Sequence, residues 1–252
     1  MKISIITVCF NSDQTIRNTI ESVLSQAYSD IEYIIVDGSS TDRTVNIIKQ
    51  FKPLFKGRMN WISEPDKGLY DAMNKGIAVA TGEVVAFLHS DDLYFDENVI
   101  SKVAEVFSND SVDVVYGDTC FFSGSNVTKT LRRYRSDKLS SGNLAWGKMP
   151  AHPAIFIRRR IYDEVGYFET DFEIAADYEF LCRLVKYANL KSVYLSSVLV
   201  RMQLGGASTG GLRSTILLNK EVLKAIRKNG IYTNMFMLLS KYPSKIMQFL
   251  RR

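Results

Sequence analysis

Two adjacent carboxylates, Asp91 and Asp92, follow a short apolar run that begins at Ala86. A short apolar run predicts a buried strand, and the polar residues after Leu88 place both carboxylates at its carboxyl end, where open α/β sheets bind ligands. Oxygen ligands suit a hard cation such as Mg²⁺ or Mn²⁺, which proteins commonly hold with one or two carboxylates and the phosphates of a substrate. The pair therefore indicates a metal site, and the alternative is an acidic loop that caps the following helix.

Polar side chains also follow the first two predicted strands. Thr7 and Asn11 lie at the end of the first, and the second ends in Asp37 and a Gly-Ser-Ser turn. The carboxyl ends of parallel strands meet at one edge of a sheet, so we expect these groups to share a rim with the acidic pair. The GxGxxG turn of a dinucleotide-binding fold and the Gly-Lys-Ser/Thr of a P-loop are both absent from the strand ends. The sequence thus predicts a nucleotide site that holds base and ribose through polar side chains and the diphosphate through a metal.

A third carboxylate lies on the apolar stripe of a predicted helix. Asp177 precedes Leu181, Leu184 and Ala188 by four, seven and eleven positions, so it should face inward near the start of the helix. The amino end of a helix favours the ionised carboxylate and burial opposes it, which together suit a general base. The alternative is that Asp177 only accepts hydrogen bonds from first-turn amides.

The elements that must position these groups alternate between strand and helix. Strands are predicted at residues 3–8, 31–36, 59–63, 83–88, 112–116, 154–157 and 192–200, and helices after Ser12 and at 41–51, 68–80, 96–107, 174–188 and 213–228. The stretch after 116 differs, with a hairpin predicted at 119–135 and no helical period before Arg159. This order predicts an α/β fold with a Rossmann-like, mainly parallel sheet flanked by helices.

The composition is that of an ordinary globular protein, with 252 residues, 46% of them hydrophobic and 23% charged. The first residues lack the apolar core of a signal peptide, and no apolar run reaches the length of a membrane span, which predicts a cytoplasmic protein. Cys9, Cys120 and Cys182 are odd in number and widely spaced. They indicate reduced core thiols and neither a disulfide framework nor a zinc site.

The net charge of +5 is concentrated at the carboxyl-terminal end. Residues 219–252 contain eight Lys or Arg and one Glu, a local charge of +7, which leaves −2 for residues 1–218. From Ile231 to Leu250 apolar residues recur every three or four positions around Pro243, an interfacial amphipathic pattern. Such a basic tail predicts peripheral contact with an anionic membrane and not nucleic-acid binding. The alternative is a helix pair packed on the domain or on another subunit.

Seven motifs occur in a characteristic order between Lys2 and Ser208. They are TVCFN, VDGSSTDRT, SEPDKGLYDAMNKGI, TGEVVAFLHSDD, MPAHPAIFIRR, IAADYEFLCRL and GGAST. Together they resemble the family 2 glycosyltransferases with the GT-A fold, and most of all the bacterial enzymes that build O-antigen, capsule and other exopolysaccharides. The resemblance implies a GT-A domain at 1–212, with a nucleotide-sugar-binding half at 1–110 and an acceptor-binding half at 111–212, followed by the basic amphipathic tail at 213–252.

The resemblance also implies roles for individual residues. Asp92 matches the metal ligand, with Asp91 near the ribose or the metal's water shell, and Asp177 matches the catalytic base. The nucleotide-sugar contacts it implies are Thr7, Val8, Cys9, Asn11, Asp37, Ser39, Asp71, Lys75 and Asp91. His152 is a candidate contact to the diphosphate or the acceptor, the alternative being a satisfied loop histidine. Glu179 is the alternative base, although its direction on the helix differs from that of Asp177 by about 200°.

The reaction that the resemblance implies is metal-dependent, inverting transfer from a nucleotide-sugar, most simply a UDP-sugar, to a saccharide or a polyprenyl-diphosphate-linked acceptor. The metal, Mn²⁺ or Mg²⁺, would neutralise the charge on the leaving diphosphate. Many relatives have Glu at the position of Ala176. That departure keeps open a non-catalytic nucleotide-sugar-binding protein, and a sugar nucleotidyltransferase is the other alternative. Membrane contact through the tail would place the protein at the inner face of the cell membrane.

Overall fold

The computed structural model describes residues 1–124, 127, 129–136, 138–187, 189–205 and 211–240, apart from the side chain of Leu212. The strands are β1 (Ile3–Cys9), β2 (Ile31–Asp37), β3 (Met59–Ser63), β4 (Val84–Phe87), β5 (Leu93–Tyr94), β6 (Val114–Phe122), β7 (Arg132–Tyr134), β8 (Ile155–Arg158) and β9 (Ser192–Gln203). The helices are α1 (Ile16–Leu24), α2 (Thr44–Phe51), α3 (Leu69–Val79), α4 (Val99–Phe107), α5 (Ser141–Ala145), α6 (Arg159–Val165), α7 (Ala176–Leu184), α8 (Leu212–Lys228) and α9 (Met235–Leu239). The α/β alternation predicted for the first half is confirmed.

All these strands belong to one sheet, in the order β3-β2-β1-β4-β8-β6-β9-β5, with β7 paired to β6. The first four strands in this order are parallel, as predicted. The second half is mixed, because β8 runs antiparallel to both β4 and β6 while β6 and β9 are parallel. Since β4 pairs with β8, one continuous sheet joins the two halves of the chain.

The sheet is buried on both faces. In β1, Ile6 and Val8 belong to a core under α3 and α7, whereas Ile3 and Ile5 belong to a second core under α1, α2 and α4. A strand covered on both sides consists of apolar residues almost throughout, which is why the sequence shows short apolar runs without polar alternation. The carboxyl ends of β1, β2 and β4 are therefore held rigidly beside one another.

The boundaries differ from prediction where local contacts outweigh the periodic pattern. The chain contains a helix, α5, where no helical period was expected, because five residues are too few to show one and the Ser140 hydroxyl caps it by accepting from the Asn143 amide at 3.3 Å. The hairpin is confirmed by the antiparallel pairing of β6 with β7, although turn residues 125 and 126 lie outside the described residues. All three cysteines are buried and free, as predicted.

The described part of the tail packs on the domain. Val222, Ala225 and Ile226 of α8 are buried in the core under α7, and the Thr233 hydroxyl donates to the Ala145 carbonyl at 2.6 Å. The predicted amphipathic segment continues through residues 241–252, which lie outside the described residues, as do residues 206–210, which include most of the GGAST motif. Throughout the described ranges, every helix is too short or too polar to cross a membrane.

Candidate active site

The turns that follow β1 and β2 are joined to each other. Asn11 has a left-handed φ of +48°, its amide donates to the Ser40 hydroxyl at 2.8 Å, and its side-chain oxygen accepts from the Thr41 amide at 2.9 Å. Ser39 also has a positive φ, +63°. Non-glycine residues adopt such values where surrounding contacts hold them. The structure therefore brings the predicted Asn11 and Ser39 together at one rim.

Asp37 ends β2 and holds this turn. Its carboxylate has no solvent exposure and accepts hydrogen bonds from the Ser40 amide at 3.0 Å, the Ser40 hydroxyl and the Ser63 hydroxyl at 2.7 Å. The Cys9 thiol donates to it as well, at 3.6 Å. A base or ribose hydroxyl that binds Asp37 must therefore replace one of these serine donors.

Three of the predicted nucleotide contacts lie beneath the rim. Thr7 is fully buried, and its hydroxyl donates to the Leu88 carbonyl at 2.7 Å and accepts from Tyr33 at 3.0 Å. Val8 and Cys9 are only 5% and 6% exposed. Thr7 therefore presents no exposed surface to a nucleotide, in contrast to its predicted contact. Its hydroxyl instead forms a hydrogen bond that links the ends of β1 and β4, a contact between strands that the TVCFN motif alone does not indicate.

Two further residues at the same rim were not singled out from the sequence. Phe10 is 62% exposed, although it is a large aromatic side chain directly after β1. Asp66, in the loop after β3, approaches so closely that a Cβ on Gly38 would lie 2.4 Å from its Oδ2 and 3.5 Å from a ring carbon of Phe10. Only glycine leaves room for this approach. The same strand-end argument that selected Asp37 extends to the loop after β3 and points to Asp66.

Asp71 and Lys75 hold that loop in place. The Lys75 ammonium lies 2.9 Å from the Glu64 carboxylate, 3.6 Å from the Asp71 carboxylate and 2.8 Å from the Pro65 carbonyl. Asp71 also accepts from the Lys67 amide at 3.0 Å. Both residues were predicted to touch the nucleotide. In the structure their contacts order the loop that carries Asp66.

The acidic pair lies at the carboxyl end of β4, as predicted. Asp92 is 3% exposed, Asp91 is half-buried, and burial together with the Asp91 charge raises the pKa of Asp92 well above its ordinary value. A hydrogen bond from the backbone amide of Gln203 lowers the pKa of Asp92, but this neutral donor does not cancel the rise. Two crowded carboxylates without a cation are a costly arrangement that a divalent ion would relieve.

The oxygen ligands of Asp91 and Asp92 fit a hard cation whose coordination shell is completed by a substrate. No group of three or more His, Cys, Asp or Glu side chains within the described ranges is arranged to hold a metal ion. Two carboxylate ligands leave coordination positions for water and phosphate oxygens, which is how Mg²⁺ and Mn²⁺ are bound in sites shared with a substrate. Asp91 and Asp92 are therefore the side chains that would hold the ion.

Two histidines lie next to the pair in an apolar setting. The rings of His89 and His152 are 5.9 Å apart, and His152 packs on Phe87 at 5.4 Å and Phe168 at 5.7 Å. Burial lowers the pKa of His89 and brings that of His152 to about 3, so both are neutral near pH 7. The buried Nε2 of His152 has no hydrogen-bond partner among the described residues. The alternative of a satisfied loop histidine is therefore wrong in the described structure.

Aromatic contacts connect the acidic pair to the third carboxylate. Phe87, at the end of β4, packs on Phe168 at 5.6 Å, and Phe168 packs on Tyr70 of α3 at 5.9 Å. The Tyr70 hydroxyl donates to the Ile174 carbonyl at 2.6 Å and lies 3.3 Å from Oδ1 of Asp177. Asp177 is thus linked to the end of β4 through Tyr70, Phe168 and Phe87.

Asp177 has the electrostatics of a base. The residue is half-buried in the first turn of α7, and burial raises its pKa from 3.8 to about 6 against the hydrogen bonds from the Tyr178 amide and Tyr70. A carboxylate with a pKa near neutrality is ionised at pH 7 and binds a proton more strongly than an ordinary aspartate does. Asp177 also accepts from the first-turn amide of Tyr178 at 2.8 Å, as in the alternative, and its role as a base stays a prediction.

The other acidic residue of this helix is occupied. Glu179 is fully buried, and the Arg183 guanidinium binds it at 2.8 to 3.0 Å, with the Asn229 amide donating at 3.1 Å. Glu179 is thus part of a buried ion pair and is excluded as the alternative base. Ala176 is fully buried in the apolar core, so its side chain does not face the site.

The parallel half-sheet and the mixed half-sheet, joined by the pairing of β4 with β8 and flanked by helices, form a GT-A fold. The chain belongs to glycosyl transferase family 2, whose profile matches residues 4–166. A PGL/p-HBAD biosynthesis glycosyltransferase of Mycobacterium bovis is 29% identical over 224 residues, which are 88% of this chain and 83% of the relative.

Solved structures confirm the GT-A fold. S. aureus TarS 1–349 in complex with UDP-GlcNAc superposes with a TM-score of 0.71 at 20% identity, over 93% of this chain and 68% of that one. The mannosyltransferase PcManGT from Pyrobaculum calidifontis, in complex with GDP-Man and Mn²⁺, superposes with a TM-score of 0.66 at 15% identity, over 88% of this chain. The chain spans 64% of the PcManGT chain. Family and fold together support a glycosyltransferase role.

Proposed function

We propose that the protein is an inverting, metal-dependent glycosyltransferase that moves a hexosyl or N-acetylhexosaminyl group from a UDP-sugar to a saccharide or polyprenyl-diphosphate-linked acceptor in surface polysaccharide biosynthesis. The observation that carries the proposal is the Asp177 carboxyl, which is half-buried, has a pKa of about 6 and contacts Tyr70, in a chain that also has Asp91 and Asp92 after β4. A base with a raised pKa and a carboxylate pair at the end of a strand match direct displacement at an anomeric carbon.

In this reaction Asp177 accepts the proton of an acceptor hydroxyl. The hydroxyl oxygen forms a bond to the anomeric carbon while the bond from that carbon to the diphosphate oxygen breaks, and the nucleoside diphosphate leaves with the electron pair. One displacement inverts the anomeric centre and needs no covalent nucleophile. Asp91 and Asp92 are the residues that would hold a divalent ion, which would supply Lewis-acid stabilisation of the leaving diphosphate.

The donor half is proposed at residues 1–110 and the acceptor half at 111–212. The exposed face of Phe10 supplies an apolar surface for a nucleobase, and Asn11, Asp37, Ser39 and Asp66 supply polar groups at the same rim. The buried Nε2 of His152 has no hydrogen-bond partner among the described residues, and a contact to a phosphate or acceptor oxygen would require that this nitrogen become exposed. UDP is the proposed nucleotide because TarS, the fold neighbour described above, binds UDP-GlcNAc.

An apolar surface at the described end of the chain favours membrane contact. Tyr232 and Phe236 are 80% and 81% exposed, Leu239 is 46% exposed, and Trp146 beside the Thr233–Ala145 hydrogen bond is 44% exposed. Exposed aromatic residues with neighbouring Lys and Arg are typical of segments that lie in the interface of an anionic bilayer. We propose that this surface rests on the inner face of the cell membrane, where a lipid-linked acceptor is available.

The test combines binding and turnover on the full chain. Calorimetric titration with UDP and GDP, with and without Mn²⁺, is expected to show UDP binding that the metal strengthens and that Asp92→Asn makes independent of metal. Asp177→Asn is expected to keep UDP binding and to lose turnover of UDP-sugars by a factor of at least about 10². Turnover by Asp177→Asn close to that of the wild type would show that another group is the base, and a chain that binds no nucleotide under any condition would refute the donor site.

A further inference from the structure

The loop that carries Asp177 is held from behind by a residue of α8. The Glu221 carboxylate accepts three backbone hydrogen bonds, from the amides of Glu173 at 2.8 Å, Ile174 at 2.9 Å and Ala175 at 2.9 Å. These amides belong to the two residues before helix α7 and to its N-cap residue, Ala175, which has no side-chain acceptor. Glu221, although distant in the chain, therefore holds the segment that leads into helix α7.

Tyr70 holds the same loop from the opposite side. Its hydroxyl donates to the Ile174 carbonyl at 2.6 Å and contacts Asp177 at 3.3 Å. Ile174 thus has its amide bound by Glu221 and its carbonyl bound by Tyr70. The peptide group between Ile174 and Ala175 is fixed at both of its polar atoms, because its carbonyl accepts from Tyr70 and its amide, that of Ala175, donates to Glu221 at 2.9 Å. Such a group has little freedom to rotate, and Asp177 follows it by two residues.

Glu221 is itself well anchored. It is 8% exposed, and Val222, Ala225 and Ile226 of the same helix are buried in the core under α7. It lies outside residues 4–166, the part of the chain that matches the family profile. The carboxyl-terminal helix therefore contributes a group to the site that the family match does not include.

We infer that Glu221 is a positioning residue for Asp177, which fixes the base through the amides of residues 173–175 and acts on it through its negative charge. The inference rests on the proposed function of Asp177. Among the described residues, the titratable side chains that interact with the Asp177 carboxyl include Tyr70 of α3, which donates to it, Tyr178 of its own helix and Glu221 of α8. The Tyr70 hydrogen bond lowers the pKa of Asp177 and the Glu221 charge raises it.

Two substitutions separate the charge of Glu221 from its geometry. Glu221→Gln removes the charge and keeps one acceptor oxygen, which can serve the amides of Ile174 and Ala175, while its NH2 group takes the place of the oxygen that accepts from Glu173. Glu221→Asp keeps the charge but shortens the side chain by one methylene group, so the carboxylate can no longer reach all three amides. Glu105→Gln, an exposed residue on α4, removes the same charge far from the site and is the matched control.

The experiment follows the Asp177 carboxyl by ¹³C NMR titration in the full chain, assigned by the signal missing from Asp177→Asn, together with kcat against pH and the UDP dissociation constant. Glu221→Gln is expected to shift the Asp177 titration and the acid limb of kcat to lower pH. Glu221→Asp is expected to lower kcat by on the order of tenfold with an unchanged UDP dissociation constant, because a small displacement of a base reduces the rate without affecting the donor half. Glu105→Gln should match the wild type in every measurement.

An Asp177 titration in Glu221→Gln that coincides with the Glu105→Gln titration would overturn the inference, as would a Glu221→Asp kcat within twofold of the wild type. Loss of UDP binding in parallel with kcat would also overturn it, since that pattern describes general damage to the fold. The proposed function is judged by other results. If Asp177→Asn retains turnover, or the wild type has none, the proposed function fails while the NMR titration still decides whether Glu221 acts on Asp177.

Discussion

Replacing Asp177 by asparagine is expected to stabilise the folded protein at and above neutral pH. Burial raises the pKa of Asp177 from 3.8 to about 6, so the folded state binds its proton more tightly than the unfolded chain does. The stability that this carboxyl contributes is present below pH 3.8 and is lost as the pH rises through about 6. At about 1.4 kcal/mol per pKa unit, ionisation costs the fold at most about 3 kcal/mol, the half-buried position setting that as an upper limit.

Urea unfolding followed by circular dichroism measures this cost. Between pH 5 and pH 8 the free energy of unfolding of the wild type should fall relative to that of Asp177→Asn by about 1.4 kcal/mol, the part of the total that remains to be lost above pH 5. Asp171→Asn, an exposed carboxylate in the loop before α7, is the matched control and should stay parallel to the wild type. The argument that Asp177 is a destabilised, poised carboxylate would be refuted by either of two results. One is a difference in the free energy of unfolding between wild type and variant that does not depend on pH, and the other is a wild type that becomes more stable than the variant as the pH rises.

Three other substitutions have defined outcomes. Tyr70→Phe removes the hydrogen bond that lowers the pKa of Asp177, so the acid limb of kcat against pH should move to higher pH. Phe10→Ala removes the exposed aromatic face at the rim and should weaken UDP binding by about 1–3 kcal/mol, the range for stacking of one base on an aromatic ring. Phe236→Ser removes the most exposed large apolar side chain and should reduce cosedimentation with vesicles that contain phosphatidylglycerol, with little effect on vesicles of phosphatidylcholine.

The two binding predictions have matched controls. Leu54→Ala, on the short helical turn after α2, should leave UDP binding intact, and Ile216→Ser on α8 should leave vesicle binding intact, since both are exposed apolar residues outside the surfaces in question. Equal effects of Phe236→Ser and Ile216→Ser would mean that exposed apolar area, and not this surface, governs the binding. An acid limb that stays in place in Tyr70→Phe would show that the Tyr70 hydroxyl does not act on the base.

Much of the fold was predictable because its first half obeys local rules. The strands at 31–36, 59–63 and 83–88 and the helices between them follow from short apolar runs and helical periods, and each lies within two or three residues of its observed bounds. The second half was less predictable. Strand β6 extends to Phe122 because β7 and β9 both pair with its end, and α5 is too short to carry a period, so neither follows from a local pattern.

The chemistry that the residue types permit was evident from the amino-acid order. Asp91 and Asp92 follow a buried strand and Asp177 opens a helix, and these positions depend only on periodicity and on the ends of elements. The difference in role between Asp177 and Glu179 was not evident from the sequence. It depends on Arg183 and Asn229, which donate hydrogen bonds to the Glu179 carboxylate and not to that of Asp177. Burial and partners decide which of two acidic residues is poised, and both are properties of the packed chain.

The same distinction applies to the residues that surround the reactive groups. Thr7 was predicted at the rim because it ends a strand, yet its hydroxyl is used within the core, whereas Asp66 reaches the rim from a loop that comes close only because residue 38 is glycine. Glu221 lies 44 positions after Asp177 and meets its helix only because α8 packs on α7. Periodicity and strand ends place a residue along its own element, but contacts between residues far apart in the chain arise when the elements pack, and those contacts set charge, exposure and orientation at the site.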